Sequence, residues 1–246
     1  MDLLIEIGNT NLKYTFLENK KYTNKNQLFI DTNLSQLLPF KEGISSVFIA
    51  NVNDDSCFKE VTTFYQNQGV TVNIITQKTH PYIDNQYDDL ERLGSDRWLH
   101  IVGAWINENK SSIVISAGTA ITIDFLEEVS SDKFVYQGGM ILPGIHLSLS
   151  ALNHSTKNIN ALLGKSTYPA SNTDDSVTTG ILYSIMGAVN LVCRTRKPDI
   201  PILLTGGGAD WIYKHADKDW RSRIKLKENL LFDEIIFEFM SLGEDL

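Results

Sequence analysis

The sequence predicts an α/β protein made of two related lobes. Three observations carry that prediction. Short apolar runs are bounded by polar or turn residues, longer stretches between them place apolar residues at three-to-four spacing, and residues 113–124 repeat the pattern of the first thirteen. The 246 residues suffice for one large domain or for two of about 120. A polar stretch at 107–112, Asn-Glu-Asn-Lys-Ser-Ser, follows a helical segment and precedes a buried-type strand, so the lobes are expected at 1–110 and 111–246.

Taken in order, residues 3–7 form an apolar run that ends at Gly8-Asn9-Thr10-Asn11, and strand-forming residues resume at 13–17. This reads as strand, tight turn, strand. Further strands are expected at 46–50, 72–75, 113–116, 120–125 and 202–205, and helices at 98–107 and 177–192. The glycine pair at 138–139 followed by Pro143-Gly144 suggests a strand that leads into a loop, and Gly206-Gly207-Gly208 follows a strand and precedes a helix.

Composition excludes several classes. Apolar residues make up 42% and charged residues 21%, the balance of a chain that buries a core. With 22 Lys and Arg against 30 Asp and Glu, the net charge of −8 opposes a phosphate backbone, so nucleic acid is not an expected partner. Cys57 and Cys193 have neither CxxC spacing nor a neighbouring His cluster, which fits a reducing cytoplasm and gives no zinc site. No signal peptide pattern and no uninterrupted apolar stretch approaching ~18 residues is read, so no membrane partner is expected.

Chemistry concentrates in a few short segments. In Glu6-Ile7-Gly8-Asn9-Thr10-Asn11-Leu12-Lys13 the glycine permits a close backbone approach, Asn and Thr offer donors to phosphate oxygens, and Lys13 adds a positive charge. An ordinary Asn-rich hairpin has the same signature. The echo at Gly118-Thr119 favours phosphate binding, because two such turns would grip a nucleotide's phosphates from two sides. Gly94-Ser95-Asp96-Arg97 puts a carboxylate beside a guanidinium at a helix start, where Asp96 would take a hydroxyl proton and Arg97 would anchor an anion. A helix cap with a surface Arg is the alternative. Gly164-Lys165-Ser166-Thr167 resembles the end of a P-loop, but Ile159 stands where the first glycine belongs and no strand is expected before it.

Read in order, Gly8-Asn9-Thr10-Asn11-x-Lys13, Gly94-x-Asp96-Arg97, Gly118-Thr119-Ala120-x-Thr122-x-Asp124, Gly138-Gly139-x-Ile141-x-Pro143-Gly144 and Thr205-Gly206-Gly207 resemble the type III pantothenate kinases. The resemblance implies a two-lobed actin-like, Hsp70-like, sugar-kinase-like (ribonuclease H-like) fold with duplicated half-domains. It also implies ATP-dependent phosphorylation of pantothenate to 4'-phosphopantothenate, the first step of coenzyme A biosynthesis, by a cytoplasmic homodimer. By the same resemblance Glu6 to Lys13 and Thr119 would hold ATP, and Asp96 would be the proton acceptor. Tyr87, Gly94, Ser95, Arg97 and Thr173 would contact pantothenate.

The cofactors implied are Mg²⁺, near Glu6, and a monovalent cation, K⁺ or NH₄⁺, at Ser116. At both positions this chain departs from the family pattern, which has Asp. Glu6 keeps the charge one methylene further out, and Ser116 replaces a charge with a neutral hydroxyl. Another phosphotransferase, or a nucleotide-binding accessory protein of the same fold, would share the phosphate-binding turns.

Overall fold

The computed structural model describes residues 1–8, 11–18, 21–29, 38, 42–51, 55–75, 79–228 and 230–232. These divide into two compact units, one drawn from Met1–Pro81, Tyr87–Gly103 and residues 230–232, the other from Tyr82–Gln86 and Ala104–Asn229. The division falls inside the helix Ser95–Glu108.

In the first unit, β1 (Asp2–Ile7), β2 (Asn11–Glu18), β3 (Lys21–Phe29), β4 (Ser46–Asn51) and β5 (Thr71–Ile75) form a sheet of order β3-β2-β1-β4-β5. β1 is antiparallel to β2 and parallel to β4. The alternating side chains of β1 are buried on both faces, which is why the run reads as continuously apolar. Leu3, Ile5 and Ile7 pack with Cys57, Val61 and Tyr65 of the helix Asp55–Asn67. On the other face Leu4, Phe48 and Ala50 pack with Leu99 and with Leu231 and Phe232.

In the second unit, β6 (Ile83–Asn85), β7 (Ser112–Ala117), β8 (Ala120–Ser130), β9 (Lys133–Pro143), β10 (Ile202–Thr205) and β11 (Ile224–Leu226) form a sheet of order β11-β10-β7-β8-β9-β6. Leaving aside β6, the order β9-β8-β7-β10-β11 is that of the first sheet. The directions match as well, with β7 antiparallel to β8 and parallel to β10. The echo in the sequence is therefore an echo in topology, and the duplicated α/β halves are present.

The helix Thr173–Thr195 spans 23 residues and is apolar enough, by length and composition alone, to cross a bilayer. Its face of Val177, Ile181, Ile185 and Val189 instead joins Ile113, Ile115, Ile202 and Leu204 in one core cluster. Two latches hold the periphery of this unit. Trp220 is buried with its indole N–H donating to Asn190 Oδ1 at 3.0 Å, and Arg223 donates to the carbonyls of Cys193 and Lys197 where the long helix ends. Burial pushes the Cys193 thiol up to about 12, which leaves it inert.

Two-faced burial of β1 makes a specific stability prediction. Leu4→Ala, at a side chain with no exposed surface, is expected to lower unfolding free energy by about 2–5 kcal/mol in urea denaturation. A loss below about 0.5 kcal/mol, typical of surface sites, would contradict the packing described.

Candidate active site

The first hairpin turns immediately after β1. Gly8 N–H donates to Asn11 O at 3.0 Å, while Asn9 and Thr10 lie outside the described residues. Ile7 and Leu12 are fully buried and anchor the turn. Glu6 and Lys13 are cross-strand partners joined by an ion pair of 3.1 Å, with the carboxylate the less exposed of the two. The Asn11 amide oxygen is buried without a hydrogen-bond partner. Such an orphan costs about 1–3 kcal/mol, so a polar ligand at this turn would relieve a standing penalty.

In the same unit, Asp96 lies in the first turn of the helix Ser95–Glu108. Its Oδ1 accepts the Arg97 N–H at 2.8 Å and would lie 2.6 Å from a Cβ at position 94, so a side chain there would displace this carboxylate. Arg97 is no surface cap residue, being only 4% exposed. Its Nη1 donates to the Tyr87 hydroxyl at 3.4 Å, and the guanidinium lies 5.5 Å from the Tyr87 ring centroid. The structure thus brings together Tyr87, Gly94, Asp96 and Arg97, which the sequence reading had placed in one site. Ser95 opens the helix.

In the second unit, three glycine segments converge on one turn. Gly118 N–H donates to Ala120 O at 2.9 Å to close the β7–β8 hairpin, and Thr119 sits exposed at its tip. Gly144 N–H donates to Thr119 O at 2.9 Å, and Gly208 N–H donates to Ala117 O at 2.8 Å. Gly206 adopts φ +92°, and a Cβ there would fall 2.4 Å from Ala117 O. A side chain is excluded at 206 by both conformation and space. Beside this loop is a cavity of about 140 Å³ lined by Thr205, Gly206, Gly207, Asp210, Lys227 and Glu228 among others. Lys227 is braced there by a 2.7 Å hydrogen bond to Asn107 Oδ1.

Ser116 pairs in register with Thr122 on β8 and Thr205 on β10, so three neutral hydroxyl residues line one row of the sheet. Asp124, two residues further along the same face, is buried and accepts the Tyr136 hydroxyl at 2.9 Å. Thr173 is exposed at the first position of its helix, between the N-cap Asn172 and Asp175. The P-loop-like Gly164-Lys165-Ser166-Thr167 lies in an irregular segment after the helix Ile145–Ser155, with no strand before it. Sequence reasoning did not find the cavity residues Lys227 and Glu228, nor Asp175. For Asp175 a signal existed in the Asn-x-x-Asp capping spacing at 172–175.

The family profile described as type III pantothenate kinase matches residues 2–195. The type III pantothenate kinase of Psychrobacter arcticus is 31% identical over 245 residues, covering 94% of this chain and 95% of that protein. That of Flavobacterium psychrophilum is 29% identical over 250 residues, covering 96% and 97%. Among solved structures, a Campylobacter jejuni protein described as a Baf family transcriptional activator superposes with TM-score 0.62 at 23% identity, covering 99% of this chain and 100% of that one. A Sinorhizobium meliloti protein described as a 2-dehydro-3-deoxygalactonokinase gives 0.58 at 10% identity, covering 98% and 99%. These structures support the sugar-kinase-like fold.

Electrostatics makes the segment before Thr173 pH-dependent. The Lys165 N–H, followed by the Asn172 amide, holds the Asp175 carboxyl below the usual carboxylate range. The stabilisation is therefore complete above the unfolded value of about 3.9 and is lost as pH falls through the lower folded value. The Lys165 amide resonance is expected to titrate with a midpoint below about 3.9 and to stop titrating in Asp175→Asn. A midpoint at or above the ordinary value would contradict the contact.

Proposed function

Since the chain belongs to the type III pantothenate kinase family and phosphorylates pantothenate with ATP in coenzyme A biosynthesis, we propose that Asp96 is the base of that reaction. The observation that carries this is the grouping of Asp96 with Arg97, Tyr87 and Gly94 at one helix start. Phosphoryl transfer needs positioning, charge neutralisation and one group that orients the acceptor hydroxyl and takes its proton. Asp96 is partly exposed and fixed from behind by the Arg97 backbone, so its second oxygen is the one presented to the acceptor.

Arg97 and Tyr87 supply, in this reading, a cation and a hydroxyl for the anionic, hydroxyl-bearing substrate, with Gly94, Ser95 and Thr173 as further contacts. ATP phosphates would be bound by Gly8, Asn9, Thr10, Asn11 and Lys13, with the buried Ile7 and Leu12 anchoring the turn beneath them, and by the Thr119 hydroxyl. The cavity at Gly206-Gly207 suits the adenosine part.

Glu6 fits a divalent metal, because Mg²⁺ is commonly held by one or two carboxylates together with substrate phosphates and water. When bound, it would neutralise phosphate charge. Ser116, flanked by Thr122 and Thr205, offers a monovalent cation only neutral oxygens, a weaker hold than a carboxylate. The exposed apolar side chains Leu147, Tyr168, Tyr183 and Leu191 suit the surface of a cytoplasmic homodimer.

One purified preparation tests this. Sedimentation is expected to give a dimer, and a coupled assay with ATP and pantothenate is expected to give turnover that Asp96→Asn lowers by about 10²–10⁴-fold with the unfolding transition unchanged. A near-normal rate in Asp96→Asn would remove the assigned base, and a monomer that turns over would remove the dimer.

A further inference from the structure

The irregular residues 156–172 are bound to the first two turns of the helix that follows them. Leu162 N–H donates to Asp174 Oδ1 at 3.1 Å, Gly164 N–H to Thr178 Oγ1 at 2.8 Å and Lys165 N–H to Asp175 Oδ1 at 2.7 Å. Thr167 both donates to Thr179 Oγ1, at 3.0 Å, and accepts from it, at 2.9 Å. A Cβ at position 164 would fall 2.4 Å from Asp175 Oδ1, so the approach requires glycine. What resembles a phosphate loop in the sequence is thus a segment whose backbone amides are taken up by side-chain oxygens of its own helix.

Asp175 is the centre of this lock. Its N–H donates to Asn172 Oδ1 at 2.9 Å, its Oδ2 accepts the Asn172 amide at 2.8 Å, and its Oδ1 holds Lys165. The two reciprocal bonds close a ring around positions 173 and 174, the two residues between cap and carboxylate. Helix first turns fray unless their amides are satisfied. We propose that Asp175 is a positioning residue for pantothenate recognition, fixing the first-turn backbone that carries the exposed Thr173 hydroxyl before substrate arrives.

The inference rests on the reading of Thr173 as a pantothenate contact. It goes beyond that reading by assigning a role to Asp175, with Gly164 and Lys165 behind it, none of which is proposed to touch substrate. Ordering a terminal residue on binding costs affinity, and a preformed geometry avoids that cost. Loss of the lock should therefore weaken pantothenate binding and leave ATP binding and the transfer step alone.

Steady-state kinetics of the full-length enzyme test this with four variants. Asp175→Ala is expected to raise the pantothenate KM about tenfold, with kcat and the ATP KM within about twofold of the parent. Gly164→Ala, which keeps the Asp175 side chain but sets a Cβ against its Oδ1 and so breaks the approach of Lys165, is expected to change the same constant in the same direction and keeps the test open if Asp175→Ala folds poorly. Thr173→Val should raise that KM too, and the double variant Asp175→Ala with Thr173→Val should be no worse than Thr173→Val, because the two act through one hydroxyl. A merely structural Asp175 would add its effect to that of Thr173→Val or lower kcat, and either result overturns the proposal. If Thr173→Val raises the pantothenate KM while both Asp175→Ala and Gly164→Ala leave it unchanged, the positioning role falls and the substrate reading stands. If Thr173→Val leaves the KM unchanged, the substrate reading fails and the positioning role with it.

Discussion

Backbone packed directly against backbone around the β7–β8 turn is the constraint on which the glycine-rich loops of the second unit depend. Gly144 reaches the Thr119 carbonyl and Gly208 the Ala117 carbonyl, and Gly206 lies too close to Ala117 for any side chain. Buried peptide groups are expensive to leave unpaired, so these contacts fix three loops relative to one another. The strand order makes the convergence possible. β10 is parallel to β7 and its central neighbour, and β9 ends beside Ala120 where β8 begins. All three glycine segments therefore emerge at one edge of one sheet, the edge at which open α/β sheets bind ligands.

The first sheet repeats this plan with a different charge. Its hairpin follows the central strand β1 as the other follows β7, and the residue two before the turn glycine is Glu6 in one and Ser116 in the other. Glu6 is paired with Lys13, whereas Ser116 has hydroxyl residues on both neighbouring strands. Duplication has kept the strand order and directions, while the hairpins differ in length, closing Ile7 on Leu12 in one and Ala117 on Ile121 in the other, and the chemistry at their base has diverged. A carboxylate with a cation beside it suits metal-bridged phosphates, and a hydroxyl row suits uncharged hydrogen bonding.

Much of this was legible in the residues because the central strands are apolar on both faces. The expected strands at 3–7, 46–50 and 202–205 lie within observed strands that differ by at most one residue at either end. β3, Lys-Tyr-Thr-Asn-Lys-Asn-Gln-Leu-Phe, is an edge strand whose composition carries no apolar run, and β6 and β11 are three residues each. The helix Asp55–Asn67 contains the run Val-Thr-Thr-Phe-Tyr, whose β-branched and aromatic residues mask its helical spacing. Of the site, the glycine motifs and the Gly-Ser-Asp-Arg helix start were visible as strings. The burial of Arg97 and its contact with Tyr87 were not, because they depend on how residues ten apart fold onto each other. The lock around Asp175 escaped for the same reason: its donors lie in a segment without periodicity.

The claim that the glycine-lined turns are nucleotide contacts is tested most directly by backbone amide resonances of the labelled protein with and without a non-hydrolysable ATP analogue and Mg²⁺. The account predicts that the largest shifts fall on Gly8, Asn11, Gly118, Thr119 and Gly206 to Gly208. Saturable binding that leaves the amides at 118–119 and 206–208 unmoved would contradict it.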